Sequence, residues 1–476
     1  MTESKFYHFL QALSLKELKR FRKYMESPYF NTHEKIFKLF EIFELHLLSN
    51  SKEPIAKEKV WEELYPERTF DYDFLRKIQH NLMELGYEFL SQQIFDEHHA
   101  QRSHAALQML SRKQMTEFFE PAIRAGMNHL KKEPNRPGTY YYDLYSIEKY
   151  HYVLENLESA RVQKINIQKL NLYDIDGHIN TFYFAEKLKY YCLLLSWSKM
   201  TNINKDVPLI SEIVREIHTK NYLEVPAIAL YYQIYLTFIE PDAEEHFLQL
   251  KELIKKHIHL FPADDSRDIM NAAINYTIQK QNQGKLKYSK DNFELWNQAL
   301  EKDIVLTNGE LSPWAFKNIV TLALRLSEFK WVENFIETYG QKINKEYREN
   351  AINYNSAVLH FYLKKYDEAI PLLQKVQYDE VNYGFDAKSL LLATYYELDE
   401  FDALNSFYES FKIFVQRNKS ITDERKKSYL QLIRLTKKLT ELQNDDIKLT
   451  KLKTEIQDSQ AMSKKWLLEK VDELLQ

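Results

Sequence analysis

Glycine is scarce in this sequence, with 8 of 476 residues, about a quarter of the usual share of roughly 7%. The two closest glycines, Gly126 and Gly138, are 12 positions apart. Phosphate-binding loops, dinucleotide-binding turns, the GxSxG nucleophile elbow and the GxxG clamp on RNA all need two glycines at short spacing, because the backbone there must lack a Cβ. The chain therefore contains none of these motifs.

The sequence also has only one cysteine, no large excess of one charge and no long apolar run. Cys192 is the single cysteine, so no disulfide can form within the chain, and its apolar surroundings at 190–195 predict a buried, inert thiol. The 65 basic and 69 acidic residues leave a net charge of −4, which gives no global field to attract nucleic acid or anionic lipid. The apolar stretches are too short for a signal peptide or a membrane span, so we expect a cytoplasmic protein.

What the sequence does have is helical periodicity from end to end. Leu, Ile, Phe and Tyr recur at three- and four-residue spacing, and the alternation typical of strands is nearly absent. Ser14 and Glu17 form a capping box, while Ser312, which precedes a proline, and Asp242, which follows one, are candidate N-caps. The pattern predicts an all-α fold.

Three regions follow from changes in composition. We expect an N-terminal helical module at 1–130, a helical repeat array at 139–420 and capping helices at 421–476. The segment 131–138, KKEPNRPG, contains two prolines and a glycine among charged residues and is typical of a linker. The array and its caps should pack as one stack, because terminal repeats need a helix that covers their apolar end.

An internal repeat is the strongest positive signal in the sequence. The segments 319–337, 356–374 and 391–409 align without gaps and share five apolar columns. One column consists of aromatic residues at spacings of 37 and 35: Phe329, Tyr366 and Phe401. Each unit is predicted to form a helix, a tight turn just before the aromatic residue, and a second, antiparallel helix. Such a pair must stack on its neighbours to bury its apolar faces.

The unit Tyr362–Leu373, YLKKYDEAIPLL, resembles the tetratricopeptide repeat, and the resemblance covers roughly 310–416. It departs from that family in a turn one residue shorter and without glycine. The resemblance implies an α-solenoid whose first helices line a concave face that binds a protein or peptide. That face would consist of Asn318, Leu322, Arg325, Asn355, Leu359, Tyr362, Thr394 and Glu397. Leu322 and Leu359 stand where chaperone-binding members have a polar amide, so we do not expect binding of an acidic C-terminal peptide.

The segment 55–90 offers an alternative function. It resembles the helix-turn-helix portion of winged-helix regulators, and its second helix would present Arg76, Lys77 and His80 to DNA. The same segment carries several carboxylates, Asp71, Asp73, Glu84 and Glu88. We therefore favour a helical cap and do not expect a nucleic-acid partner, and a DNA-binding regulator with the repeats as its sensor is the alternative.

No catalytic, cofactor or metal site is expected. His98, His99 and His104 lie close in sequence but lack the HExxH or paired CxxC spacing that fixes a zinc site. Ser196 and Lys199 form a Ser-x-x-Lys tetrad without the companion motifs of the hydrolases that use it. The sequence favours a non-enzymatic scaffold that binds a protein or peptide and leaves the partner and the oligomeric state open.

Overall fold

The computed structural model describes residues 1–49, 53–162, 171–201, 207–377, 383–419, 421–442 and 445–476. These residues form 23 α-helices and no β-strand. The all-α prediction is therefore confirmed.

The helices fall in two compact units, Met1–Lys187 with Arg215–Ile228, and Leu188–Val214 with Ala229–Gln476. The helices up to residue 239 are α1 (Lys5–Ala12), α2 (Leu15–Glu26), α3 (Glu34–Leu48), α4 (Lys57–Leu64), α5 (Tyr72–Glu97), α6 (His99–Arg112), α7 (Phe119–Lys132), α8 (Gly138–Val162), α9 (Leu172–Thr201), α10 (Ile210–Thr219) and α11 (Pro226–Ile239). Those that follow are α12 (Glu244–His257), α13 (Ala263–Asn282), α14 (Tyr288–Glu301), α15 (Pro313–Arg325), α16 (Phe329–Gly340), α17 (Lys345–Tyr362), α18 (Tyr366–Lys375), α19 (Gly384–Glu397), α20 (Phe401–Arg417), α21 (Asp423–Glu441), α22 (Asp446–Asp458) and α23 (Lys464–Leu474).

The first unit contains two hydrophobic cores. Helices α1–α5 enclose a core rich in phenylalanine, with Phe21, Phe40 and Phe43 fully buried. Helices α6–α8 enclose another, so the helices on either side of the proline-containing segment 133–137 share one core. Helix α2 begins with the predicted capping box, in which the Glu17 amide donates to Ser14 Oγ and the Ser14 amide donates to the Glu17 carboxylate.

The second unit contains the predicted repeats. Helix α15 packs on α16 and α17, α17 packs on α18 and α19, and α19 packs on α20 and α21. The first helix of each pair thus contacts its own second helix and the next first helix. The aromatic column Phe329, Tyr366 and Phe401 provides the first residue of α16, α18 and α20, as the alignment predicts.

The turns within the three pairs share one backbone conformation. Ser327, Lys364 and Asp399 have φ of 62°, 57° and 57°, in the left-handed region where glycine is the usual residue at a helix end. In each turn the next amide donates to a carbonyl five residues earlier, as from Lys365 to His360 at 2.8 Å. The repeats therefore build a glycine-type helix end without glycine, at a cost of about 1 kcal/mol for each residue held there.

We expect Lys364→Gly to raise the free energy of unfolding by about 0.5–1 kcal/mol, because relief of the left-handed strain exceeds the extra entropy of glycine in the unfolded chain. Urea denaturation followed by circular dichroism measures the change. The control Glu333→Gly, at an exposed position inside α16, should lower the free energy of unfolding by about 1 kcal/mol. A loss of stability in Lys364→Gly would contradict the strain assigned to this turn.

One predicted helix start differs in the structure, and another lacks its capping hydrogen bond. Helix α12 begins at Glu244 with Ala243 in the N-cap position, so the N-cap prediction for Asp242 was wrong. The Asp242 carboxylate instead accepts a hydrogen bond from Lys280 Nζ at 2.8 Å. Ser312 does occupy the N-cap position of α15, but its side chain makes no capping hydrogen bond.

Candidate functional site

The eight residues predicted to line a partner-binding face lie on α15, α17 and α19, but they differ sharply in exposure. Four are buried: Leu322, Asn355, Leu359 and Thr394. Asn318 and Glu397 are partly buried, and Arg325 and Tyr362 are exposed. Half of the predicted face is therefore inaccessible to a partner.

The two buried polar members bond to their own helices. Asn355 Nδ2 donates to the Ala351 carbonyl at 2.7 Å, and Thr394 Oγ1 donates to the Leu390 carbonyl at 2.8 Å. Asn355 is only 1% exposed and Thr394 is fully buried. Each side chain thus donates to a carbonyl one turn earlier in its own helix, while Asn355 Oδ1 is buried without a hydrogen-bond partner among the described residues.

A polar cluster brings helices α15, α17, α19 and α21 together near the start of α15. Lys317 on α15 forms an ion pair with Asp386 on α19, and Tyr429 on α21 donates to Asp386 Oδ1 at 3.3 Å. Lys317 Nζ also lies 5.8 Å from the ring centres of Tyr354 and Tyr383. We call these five residues the polar cluster.

The polar cluster also joins the starts of α15 and α19. The Tyr383 hydroxyl donates to the Pro313 carbonyl at 2.7 Å, so Tyr383 packs directly against the start of α15. The Tyr383 side chain is fully buried there. Burial, together with the negative charge of Asp386, holds the pKa of the Tyr354 hydroxyl well above its ordinary value. The side chains of the chain itself thus occupy the space between successive first helices.

The opposite ends of the first helices remain more open. Arg325, Tyr362 and Glu397 each lie two residues before the left-handed residue of their turn, so they occupy equivalent positions in three successive pairs. We call these three residues the end column. Arg325 is exposed and Tyr362 is 42% exposed, whereas the Glu397 side chain is only 11% exposed.

Helix α23 covers the third member of the end column. The Glu397 carboxylate accepts from Trp466 Nε1 at 2.7 Å and from Lys470 Nζ at 2.9 Å. The Trp466 ring also packs edge-on against Tyr396, with the ring centres 5.4 Å apart. Burial and the Glu397 charge raise the pKa of Tyr366 to about 12. The packing of α23 against the end column gives no local sequence signal, because about 70 residues separate the partners in the chain.

The segment 55–90 contains α4 and the first part of α5, joined by a connection at 65–71. The Trp61 indole donates to the Arg68 carbonyl at 3.0 Å and holds this connection against α4. Arg76, Lys77 and His80 are exposed on α5, as the DNA-binding alternative requires, but the carboxylates predicted beside them are exposed too. Recognition of DNA by this segment stays an alternative hypothesis.

The other residues considered for chemistry are dispersed. Cys192 is buried and donates to the Tyr231 carbonyl at 3.3 Å, and burial raises the pKa of its thiol. Ser196 lies on α9, while the Lys199 side chain lies outside the described residues. In the part of the chain that the structure describes, no group of three or more His, Cys, Asp or Glu side chains is placed to hold a metal ion.

Within the described ranges, each helix is too short or too polar to span a lipid bilayer. Comparison with protein-family models, with curated proteins and with solved structures finds no match to this chain.

Proposed function

We propose that this chain is a non-enzymatic scaffold of tetratricopeptide-like helix pairs that binds a protein or peptide partner. Three features support the proposal: the contacts between successive first helices, the aromatic residue that starts each second helix, and the left-handed turn common to three pairs. A stack of this kind offers a series of equivalent side-chain positions to a partner.

The exposed part of the end column is the proposed binding surface. Arg325 and Tyr362 remain exposed while the buried members of the predicted face do not, and this observation carries the proposal. Arg and Tyr are enriched among the residues that dominate protein interfaces. A guanidinium group in this position favours a carboxylate on the partner, because charge-assisted hydrogen bonds from Arg to a carboxylate are strong and directional.

Replacing Arg325 and Tyr362 together by alanine should abolish capture of the partner and leave helicity and melting temperature nearly unchanged, since both side chains are exposed. The measurement is affinity capture from native lysate followed by mass spectrometry. The matched control, Arg124→Ala with Tyr29→Ala, removes an exposed arginine and an exposed tyrosine from the first unit and should leave capture intact. If the Arg325 and Tyr362 variant still captures the same proteins, the end column is not the binding surface.

A further inference from the structure

Helix α23 binds the rest of the second unit in the manner of a helical ligand. Leu467 and Val471, four residues apart, are fully buried, and Trp466 and Lys470, also four residues apart, both donate to Glu397. One helix face thus presents two apolar anchors and two hydrogen-bond donors. An amphipathic helix that lays such a face on its receptor is a common mode of peptide recognition.

The residue that accepts the two hydrogen bonds from α23 is Glu397, a carboxylate in a position that is unfavourable for a negative charge. Glu397 ends α19, and the partial negative charge of a helix C-terminus disfavours an anion there. The equivalent residues in the two preceding pairs are the cation Arg325 and the neutral Tyr362. The Glu397 side chain is largely buried, so its charge needs hydrogen-bond donors, two of which α23 supplies beside the Tyr366 hydroxyl.

The connection that leads into α23 is conformationally strained. Ser463, which immediately precedes the helix, has φ of 53°, a left-handed conformation that costs about 1–2 kcal/mol for a residue other than glycine. Docking of α23 therefore works against strain in its own connection. This arrangement favours a helix that can leave its site without unfolding the helices beneath it.

We propose that α23 is a self-bound helix that masks the Glu397 end of the end column, and that a partner helix of the same pattern displaces it. The matching partner is an amphipathic helix with Trp and Lys four residues apart and apolar residues beside each of them. The inference rests on the proposed binding function and names the class of partner. The masked end accepts a cationic helix, and the exposed Arg325 end favours a carboxylate.

The first test is hydrogen–deuterium exchange of the full chain with Lys470→Glu, which places a carboxylate opposite Glu397. Amides of α23 should then exchange faster by on the order of tenfold or more, while those of α20 should change by less than about twofold. The matched control is Lys465→Glu, the same charge change on a side chain that is 92% exposed and pairs only weakly with Glu469 at 3.7 Å. It should change exchange in α23 by less than about twofold. Trp466→Phe, which removes one donor and keeps the ring, should give an intermediate acceleration.

The second test uses a labelled peptide of residues 459–476 as the probe and fluorescence anisotropy as the readout. The Lys470→Glu chain should bind this peptide with a dissociation constant on the order of micromolar, and the wild-type chain should bind at least roughly tenfold more weakly. The Glu397→Lys, Lys470→Glu double variant exchanges the two charges and restores the internal pair. It should therefore bind the peptide no better than the wild type.

Either of two results would overturn the inference. If amide exchange in α20 and α23 accelerates equally in Lys470→Glu, α23 is an inseparable part of the core. If that variant does not bind the peptide, Glu397 does not recognise helices. Neither test needs the unidentified partner. A failure here is therefore distinguishable from a failure of the capture experiment, which concerns Arg325 and Tyr362.

Discussion

Replacing Asp242 by alanine is expected to destabilise the second unit strongly, because it leaves a buried ammonium group without its carboxylate. The Lys280 side chain is only 1% exposed, and its Nζ lies 2.8 Å from Asp242 Oδ1. The nearby Tyr276 ring, 5.4 Å from Nζ, offers a weaker attraction. Removal of Asp242 leaves the buried Lys280 charge without its anionic partner, and that uncompensated charge carries the expected loss of stability.

The two partners should respond very differently to removal. Lys280→Met leaves Asp242, whose side chain is 83% exposed, in contact with water, so the loss should be less than about 1 kcal/mol. The double variant should recover most of the stability lost in Asp242→Ala. Urea denaturation of the wild type, both single variants and the double variant measures the coupling. Equal losses in the two single variants would contradict the assignment of the cost to the buried ammonium.

The pair of Asp242 and Lys280 also predicts that the stability of the second unit depends on pH. The hydrogen bond from Lys280, and then its charge, lower the pKa of Asp242 below its usual value. A carboxyl group whose pKa is lowered by folding stabilises the fold above its unfolded pKa of about 3.9, and that stabilisation is lost as the pH falls through the lowered folded pKa. The stability difference between wild type and Asp242→Ala should therefore be full at neutral pH and shrink in acid below about pH 4.

Asp242 also illustrates which features a sequence reveals. Its position after a proline predicted an N-cap, a local role that depends on neighbours within a few residues. Its actual partner lies 38 residues away on another helix, and no periodic pattern connects the two. By contrast, Phe329, Tyr366 and Phe401 were found because the repeat places them at similar spacings, and each does begin a helix.

The candidate site, too, has features that the sequence predicts and features that it does not. The repeat alignment correctly places the end column at equivalent positions, because helix length and turn position follow from local patterns. It does not reveal that Asn355 and Thr394 are buried, since that depends on how tightly successive first helices approach. Tyr383 and the rest of the polar cluster join the starts of α15 and α19, and no repeat column contains them. Nor did glycine scarcity indicate left-handed turns, because Ser327 and Lys364 adopt a conformation that side chains rarely favour.

Within the polar cluster, Asp386→Asn should cost more stability than Lys317→Met. The pair is largely buried, with side-chain exposures of 22% for Lys317 and 24% for Asp386. Asp386→Asn keeps the size of the side chain and removes the negative charge that pairs with the Lys317 ammonium in this cluster. Because the site is not fully enclosed, we expect a loss of about 2–3 kcal/mol, below the full cost for a buried pair.

Lys317→Met should cost only about 1 kcal/mol, because the remaining carboxylate keeps two other sources of stabilisation. Asp386 lies in the first turn of α19, where the helix dipole favours an anion, and it accepts the hydrogen bond from the Tyr429 hydroxyl. The order of the two losses is thus the same as in the Asp242 pair. Removal of the lysine is the milder change there too, but for a different reason, the exposure of the Asp242 carboxylate to water. In both pairs, the charged group that remains after the substitution determines how much stability is lost. Urea denaturation of both single variants and the double variant measures these losses of stability. If Lys317→Met loses as much stability as Asp386→Asn, the start of α19 and Tyr429 do not stabilise the carboxylate.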